Sequence, residues 1–270
     1  MVIPVQLSAL GFPMAPSQEQ WDALTEAERD LVVAGLPGEV TEAEMSPPEG
    51  DRHFKAKTRA LDALHGFFAR QGRRIYLAAE LPTYYPAEPR FAPDLLAVLD
   101  VEGRERDSWI VSREGRGLDW VLEVHVGGDR KKDAERNVER YARFGIGEYF
   151  LYDRAKGRLL AYRLGASKAK PYSAIVPQHG LYESQALGLG IAVEGDRLRF
   201  YAGTALLLES EELIARLETL VGEVQQRAEE ETRKREEETW KREEETRKRE
   251  EAEAEVARLR EEISRLQRGR

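Results

Sequence analysis

No cysteine occurs in the 270 residues, which excludes disulfides and thiolate metal sites and fits a reducing compartment. Histidine is nearly as scarce: His53, His65, His125 and His179 are scattered without metal-ligand spacing. Long apolar runs are missing as well. No stretch approaches the roughly 20 apolar residues that a membrane span needs, and the first residues lack a basic segment followed by an apolar core. The expected location is therefore the cytoplasm, with no membrane partner. A phosphate-cradling glycine loop of the P-loop type is absent. Gly188-Leu189-Gly190 has neither the full spacing nor the preceding strand of a dinucleotide fingerprint. Nothing suggests a Ser-His-Asp arrangement.

Basic charge is short overall, since the net charge is −8, but the deficit is unevenly spread. Residues 1–50 carry nine acids and one base, and residues 209–270 carry 20 acids and 15 bases. Residues 51–208 reverse the balance with 26 bases and 21 acids, a mild excess that suits contact with phosphate. The expected organisation has three parts. They are an acidic helical segment over 1–50, a central domain over 51–208 and a charged heptad helix over 209–270.

What the central part contains is a pair of acids set into apolar runs. Pro93-Asp94 opens Leu95-Leu96-Ala97-Val98-Leu99, and Glu123 lies inside Trp120-Val121-Leu122-Glu123-Val124-His125-Val126. Burying a lone carboxylate in a β-rich stretch costs several kcal/mol unless something pairs with it. Two such acids on segments able to pair as adjacent strands point to a shared hard cation, Mg²⁺ or Mn²⁺, which can activate water and stabilise phosphate charge. Strand alternation puts Val121, Glu123 and His125 on one face. The other face (Leu122, Val124, Val126) is wholly apolar and is expected to pack on the core while Glu123 and His125 emerge at a site. Glu80, in Ala78-Ala79-Glu80-Leu81, is either a further acidic member or an exposed strand-end residue. After Gly127-Gly128-Asp129, the basic run Arg130-Lys131-Lys132 leads into a helix with an apolar stripe at Ala134, Val138, Tyr141 and Ala142.

These motifs in their order, Pro93-Asp94, Glu123-Val124-His125, Lys132-Asp133 and Tyr141 through Asp153, resemble the Uma-two family of endonucleases within the PD-(D/E)XK, restriction-endonuclease-like superfamily. The likeness continues through Ser184, Leu187-Gly188-Leu189 and Leu198-Arg199-Phe200, so it covers roughly residues 52–208. The resemblance implies an α/β fold, a mixed sheet flanked by helices, with Asp94 and Glu123 as metal ligands and DNA as substrate. Two departures stand out. The superfamily usually places lysine where His125 stands, and many relatives place one on the following helix where Asn137 stands. Lys132 or Lys131, flexible ammonium groups at that helix start, are candidates to neutralise phosphate instead. His125 could ligate metal, position water or shuttle a proton, or be a structural histidine. The alternative function is a catalytically weak or inactive module on the same fold that assembles through its C-terminal helix.

Elsewhere the sequence carries local signals. Ser17-Gln18-Glu19-Gln20 and Thr25-Glu26-Ala27-Glu28 each fit a capping box. Ser46-Pro47-Pro48-Glu49-Gly50 reads as a boundary loop, and a helix is expected from about Phe54 to Gln71. Strands are expected near 75–80, 94–101, 109–112, 120–126, 148–152 and 159–164. Tyr84 and Tyr85 sit in a prolyl loop and either stack on bases or pack on the sheet edge. Glu229–Arg249 is three repeats of Glu-Glu-Glu-Thr-x-Lys-Arg. Apolar residues before it (Ile214, Leu217, Val221, Val224, Ala228) and after it (Ala252, Val256, Leu259, Ile263, Leu266) keep one heptad register. The tail is therefore expected to be one long helix, either a coiled coil that makes the protein a homo-oligomer or a solvated single-helix spacer.

Overall fold

The computed structural model describes residues 5–39, 50–127, 131–165 and 172–268, and the side chains of all of these except 131–134 and 266–268. The chain divides into two units, Met1–Ser210 and Glu211–Arg270.

In the first unit a small antiparallel pair, Gln6–Leu7 with Pro13–Met14, precedes two short helices, α1 (Gln18–Ala23) and α2 (Glu26–Gly35). Both start where the sequence signals it. Ser17 Oγ accepts the Gln20 N–H while Gln20 Oε1 accepts the Ser17 N–H, and Thr25 and Glu28 repeat the exchange. Trp21, Val32 and Leu36 then pack with Tyr84 and Ile110, which ties these acidic helices to the central part. Glu26 and Asp30 both reach Arg113, at 2.6 and 2.9 Å. The expected boundary loop at Ser46–Gly50 lies, up to residue 49, outside the described residues.

Helix α3 (Gly50–Gln71) starts before the expected Phe54. The strand expected near 109–112 is only Trp109–Ile110, because the chain turns at once into α4 (Val111–Glu114), closed by Gly115 at φ +69°. The main sheet has six strands: β1 (Ile75–Ala78), β2 (Leu95–Leu99), β3 (Trp120–His125), β4 (Glu148–Asp153), β5 (Arg158–Leu164) and β6 (Tyr172–Ala174). Each lies beside its predecessor, and only β3 and β4 run parallel. A parallel pair needs a crossover, and α5 (Lys131–Arg143) supplies it.

Helices therefore cover both faces. Ala60, Leu64 and Phe68 of α3 pack on Leu95, Trp120, Leu122 and Phe150. Tyr141 of α5 packs on Leu96, Val121, Tyr149 and Leu151. This corrects the expectation that only the Leu122 face of β3 meets the core. Val121 is as fully buried as Leu122, because a sheet with helices on both sides leaves neither face to solvent. Tyr84 is buried with the two N-terminal helices and Tyr85 in the layer of Tyr141, so they are not base-stacking residues on an exposed edge.

A four-stranded antiparallel sheet follows: β7 (Tyr182–Ser184), β8 (Leu189–Glu194), β9 (Arg197–Ala202) and β10 (Ala205–Leu206). Buried Glu148 at the start of β4 joins it to the main sheet. Its carboxylate accepts from Arg163 Nε at 2.8 Å, Ser184 Oγ at 2.5 Å and the Gln185 N–H at 2.9 Å. Ser184 Oγ in turn accepts the Leu187 N–H at 3.1 Å. Ser184→Ala strips one bond from a buried carboxylate and orphans a buried N–H. It should cost about 1–3 kcal/mol in urea unfolding without touching the site described below.

The second unit is the rest of helix α6 (Ser210–Arg268). Its exposed middle is laced by pairs one turn apart, among them Glu231 with Arg235 at 2.6 Å, Glu237 with Lys241 at 2.7 Å and Glu244 with Lys248 at 2.8 Å. Each contributes about 0.2–0.5 kcal/mol to a helix standing in water. No described helix is long and apolar enough to cross a membrane.

Candidate metal centre

Strand register sets the site. In the antiparallel β2–β3 ladder Leu95 faces Leu122, so the next residues outward, Asp94 and Glu123, stand across from each other. In the β1–β2 ladder Ala78 faces Leu96, and the same count brings Glu80 opposite Asp94. Three acids therefore line up at the ends of three neighbouring strands. The ladder's last bonds close on them. Asp94 Oδ2 accepts the Val124 N–H at 2.7 Å, and the Asp94 N–H donates to Glu123 Oε2 at 3.4 Å.

Glu80 departs from strand geometry. Its φ is +50°, a left-handed conformation that costs a non-glycine residue of order 1–2 kcal/mol and breaks the strand's alternation. Its N–H donates to the Pro93 carbonyl at 3.0 Å, and its carboxylate pairs with Lys57 of α3. Lys57 is itself buried, while the Glu80 side chain remains 61% exposed.

Helix α3 brings a second residue. His53, one turn before Lys57, places Nε2 2.8 Å from Asp94 Oδ1. A carboxylate has no proton to give, so Nε2 donates. His53, Glu80 and Asp94 each offer a ligand atom, and these atoms all lie within 4.8 Å of one another. An imidazole nitrogen with two carboxylates is a donor set that divalent cations such as Mn²⁺ accept, and the carboxylates alone suit Mg²⁺. The residues present fit such an ion.

The two central acids are biased in opposite directions. Burial alone would raise the Asp94 carboxyl. The hydrogen bond and charge of His53, the Val124 N–H and the Glu123 carboxyl outweigh it and hold Asp94 below the ordinary carboxylate range. Burial, then the negative charge of Asp94, pushes Glu123 well above its ordinary value, against the Tyr141 hydrogen bond. Tyr141 Oη donates to Glu123 Oε1 at 2.5 Å. Glu123 is thus gripped from the α5 side and Asp94 from the α3 side.

His125 ends β3, partly exposed, two residues beyond Glu123, and its carbonyl accepts the Arg154 N–H at 2.7 Å. It is not in the group formed by His53, Glu80 and Asp94. Lys131 and Lys132 open α5, but their side chains, like Arg130, lie outside the described residues. Asn137, at a lysine position of the resemblance, lies within α5. Sequence reasoning missed His53 and Lys57. One signal was available: 53, 57, 60, 64 and 68 form a single helical stripe, with His and Lys extending an apolar row. Polar residues that prolong a buried stripe are residues the fold places against something.

A mixed sheet with helices on both faces and acids converging at its strand ends is the architecture of a nuclease-like α/β domain. Residues 19–194 match the family described as "Uma2: Putative restriction endonuclease", and the chain belongs to that family. The match runs from α1 to the end of β8. Among solved structures, the chain is similar to one titled as a putative nuclease belonging to DUF820 from Anabaena variabilis. The TM-score is 0.45 and the identity 13%, over 56% of this chain and 83% of that one. No curated protein matches the chain.

Proposed function

We propose that the protein is a divalent-metal-dependent endonuclease that hydrolyses phosphodiester bonds of DNA, working in the cytoplasm. The observation that carries this reading is the convergence of Glu80, Asp94 and Glu123 at three consecutive strand ends. Asp94 is the central ligand, with Glu123 completing the acid pair and Glu80 and His53 as further donors. Bound Mg²⁺ or Mn²⁺ would supply Lewis-acid polarisation of a phosphate and a more acidic water.

The chain's own groups divide the rest of the work. Asp94 stays ionised at neutral pH because His53 and the Val124 N–H hold its charge. Glu123, held protonated by burial and by the Asp94 charge, would ionise and serve as a ligand if a divalent cation were bound beside it. Lys57 brings a buried ammonium to Glu80, and Lys132 adds cationic charge for the phosphate from the start of α5. His125, at the strand end, would pass protons to solvent. The mild basic excess over residues 51–208 favours a polyanionic substrate. Helix α6 makes the protein a homo-oligomer.

Asn137 and His125, at positions where lysine is expected, favour a second reading, a catalytically weak module on the same fold. Incubation of DNA and RNA with Mg²⁺, with Mn²⁺ and with chelator decides between the two. DNA cleavage only when metal is present supports the enzyme, and absence of nicking on every substrate supports the module. Lys57→Met sharpens the test. Turnover should fall about 10–100-fold without weaker cation binding by calorimetry, since Lys57 competes with the cation for Glu80. Unchanged turnover would make Lys57 structural.

A further inference from the structure

Helix α6 leaves its heptad residues exposed at both ends: Ile214, Leu217, Val221 and Val224 near its start, and Val256, Leu259 and Ile263 near its finish. Ile214, Val221 and Ala228 occupy one core position, a, and continue as Arg235, Arg242, Arg249, Val256 and Ile263. Leu217 and Val224 occupy the other, d, and continue as Glu231, Glu238, Glu245, Ala252, Leu259 and Leu266. All three charged a positions are arginine and all three charged d positions are glutamate.

That arrangement distinguishes the possible pairings of two copies. In a parallel pair each layer sets a residue against itself. Arginine would then meet arginine in three layers and glutamate meet glutamate in three more. In an antiparallel pair a faces d. Let the two helices cross head to tail at Trp240, the middle of the second repeat. Ile214 then meets the other copy's Leu266, Leu217 meets Ile263, Val221 meets Leu259, Val224 meets Val256 and Ala228 meets Ala252. Through the middle, Glu231 meets Arg249, Arg235 meets Glu245 and Glu238 meets Arg242. Every apolar layer finds an apolar partner and every charged layer an opposite charge.

The register is unique at this resolution of the pattern. A slip of one heptad either way sets Val224 against Arg249 or Glu231 against Val256. The flanks add Glu218 against Arg260 and Arg227 against Glu255. They also set Lys234 against Lys248 and Lys241 against itself. Lys241 and Lys248 already hold glutamates one turn back in their own helix, at 2.7 and 2.8 Å.

We propose that α6 assembles with a second copy of this chain as an antiparallel coiled coil centred on Trp240. This goes beyond homo-oligomerisation in fixing direction and register. The two copies' Ser210 residues would stand roughly 90 Å apart along the rod, by helical rise.

The absence of native cysteine makes the test clean. Full-length Leu217→Cys and Ile263→Cys are prepared separately, then mixed in a glutathione redox buffer. The antiparallel pair predicts a disulfide between the two variants and none within either alone, since like positions are then roughly 70 Å apart. Separately, Arg235→Glu, Arg242→Glu and Arg249→Glu combined in one chain should raise the dimer dissociation constant by at least about tenfold. Sedimentation reads that constant, with helix content checked by circular dichroism. A self-linked Leu217→Cys dimer, a dissociation constant unmoved by the charge reversal, or a wild-type monomer at high micromolar concentration would each overturn the proposal.

Discussion

Asp94→Asn is expected to abolish metal-dependent cleavage, a loss of at least about 10³-fold, while leaving the protein folded. Asparagine keeps an oxygen able to accept the Val124 N–H, the bond that closes the β2–β3 ladder at 2.7 Å, but carries no charge for a cation. Asp94→Ala removes both, and the orphaned Val124 N–H should cost about 1–3 kcal/mol in addition. The two variants thus separate chemistry from stability: equal loss of cleavage, unequal loss in denaturant. Calorimetric titration with Mn²⁺ should show binding to wild type and none to either variant. Cleavage by Asp94→Asn at the wild-type rate would show that the site lies elsewhere.

What sequence could supply here, and what it could not, follows from the range of the interactions. The capping boxes at Ser17 and Thr25 are local exchanges across three residues, and they appear as read. The Asp94–Glu123 juxtaposition was legible because both acids interrupt or open apolar runs, and strand pairing is the cheapest way to bring such runs together. His53 and Lys57 were not legible in the same way. Their partners, Asp94 and Glu80, lie far along the chain, and only the docking of α3 on the sheet brings them near. Glu80 was ambiguous for a different reason. A positive φ at a non-glycine residue leaves no compositional trace, yet that turn is what aims its carboxylate at Lys57. The two-faced burial of β3 escaped because alternation reports polarity, and a glutamate on an otherwise apolar face reads as an exposed face. The mirror symmetry of α6 was present in the sequence throughout. A search for a heptad register does not reveal it, because the complementarity appears only when the helix is laid against itself reversed.

Glu123→Gln should produce the opposite signs in stability and activity. The Glu123 carboxyl is held well above its ordinary range by burial and by the Asp94 charge. An acid raised in this way binds its proton more tightly folded than unfolded, so the metal-free protein loses stability as pH climbs from the unfolded value through the folded one. Below the unfolded value the residue is protonated in both states, and glutamine, its neutral isostere, should change nothing. At higher pH the wild type carries a buried negative charge beside Asp94, whereas glutamine does not. Its side-chain oxygen still accepts from Tyr141. The variant's melting temperature should therefore match wild type near pH 4 and exceed it increasingly toward pH 8. The same substitution removes one of the two central ligands, so cleavage should collapse, and the stabilising effect of added Mn²⁺ on the melt should shrink with it. A variant destabilised at all pH values would mean that Glu123 is an ordinary structural carboxylate. A stabilised and fully active one would mean that the cation is held by His53, Glu80 and Asp94 without it.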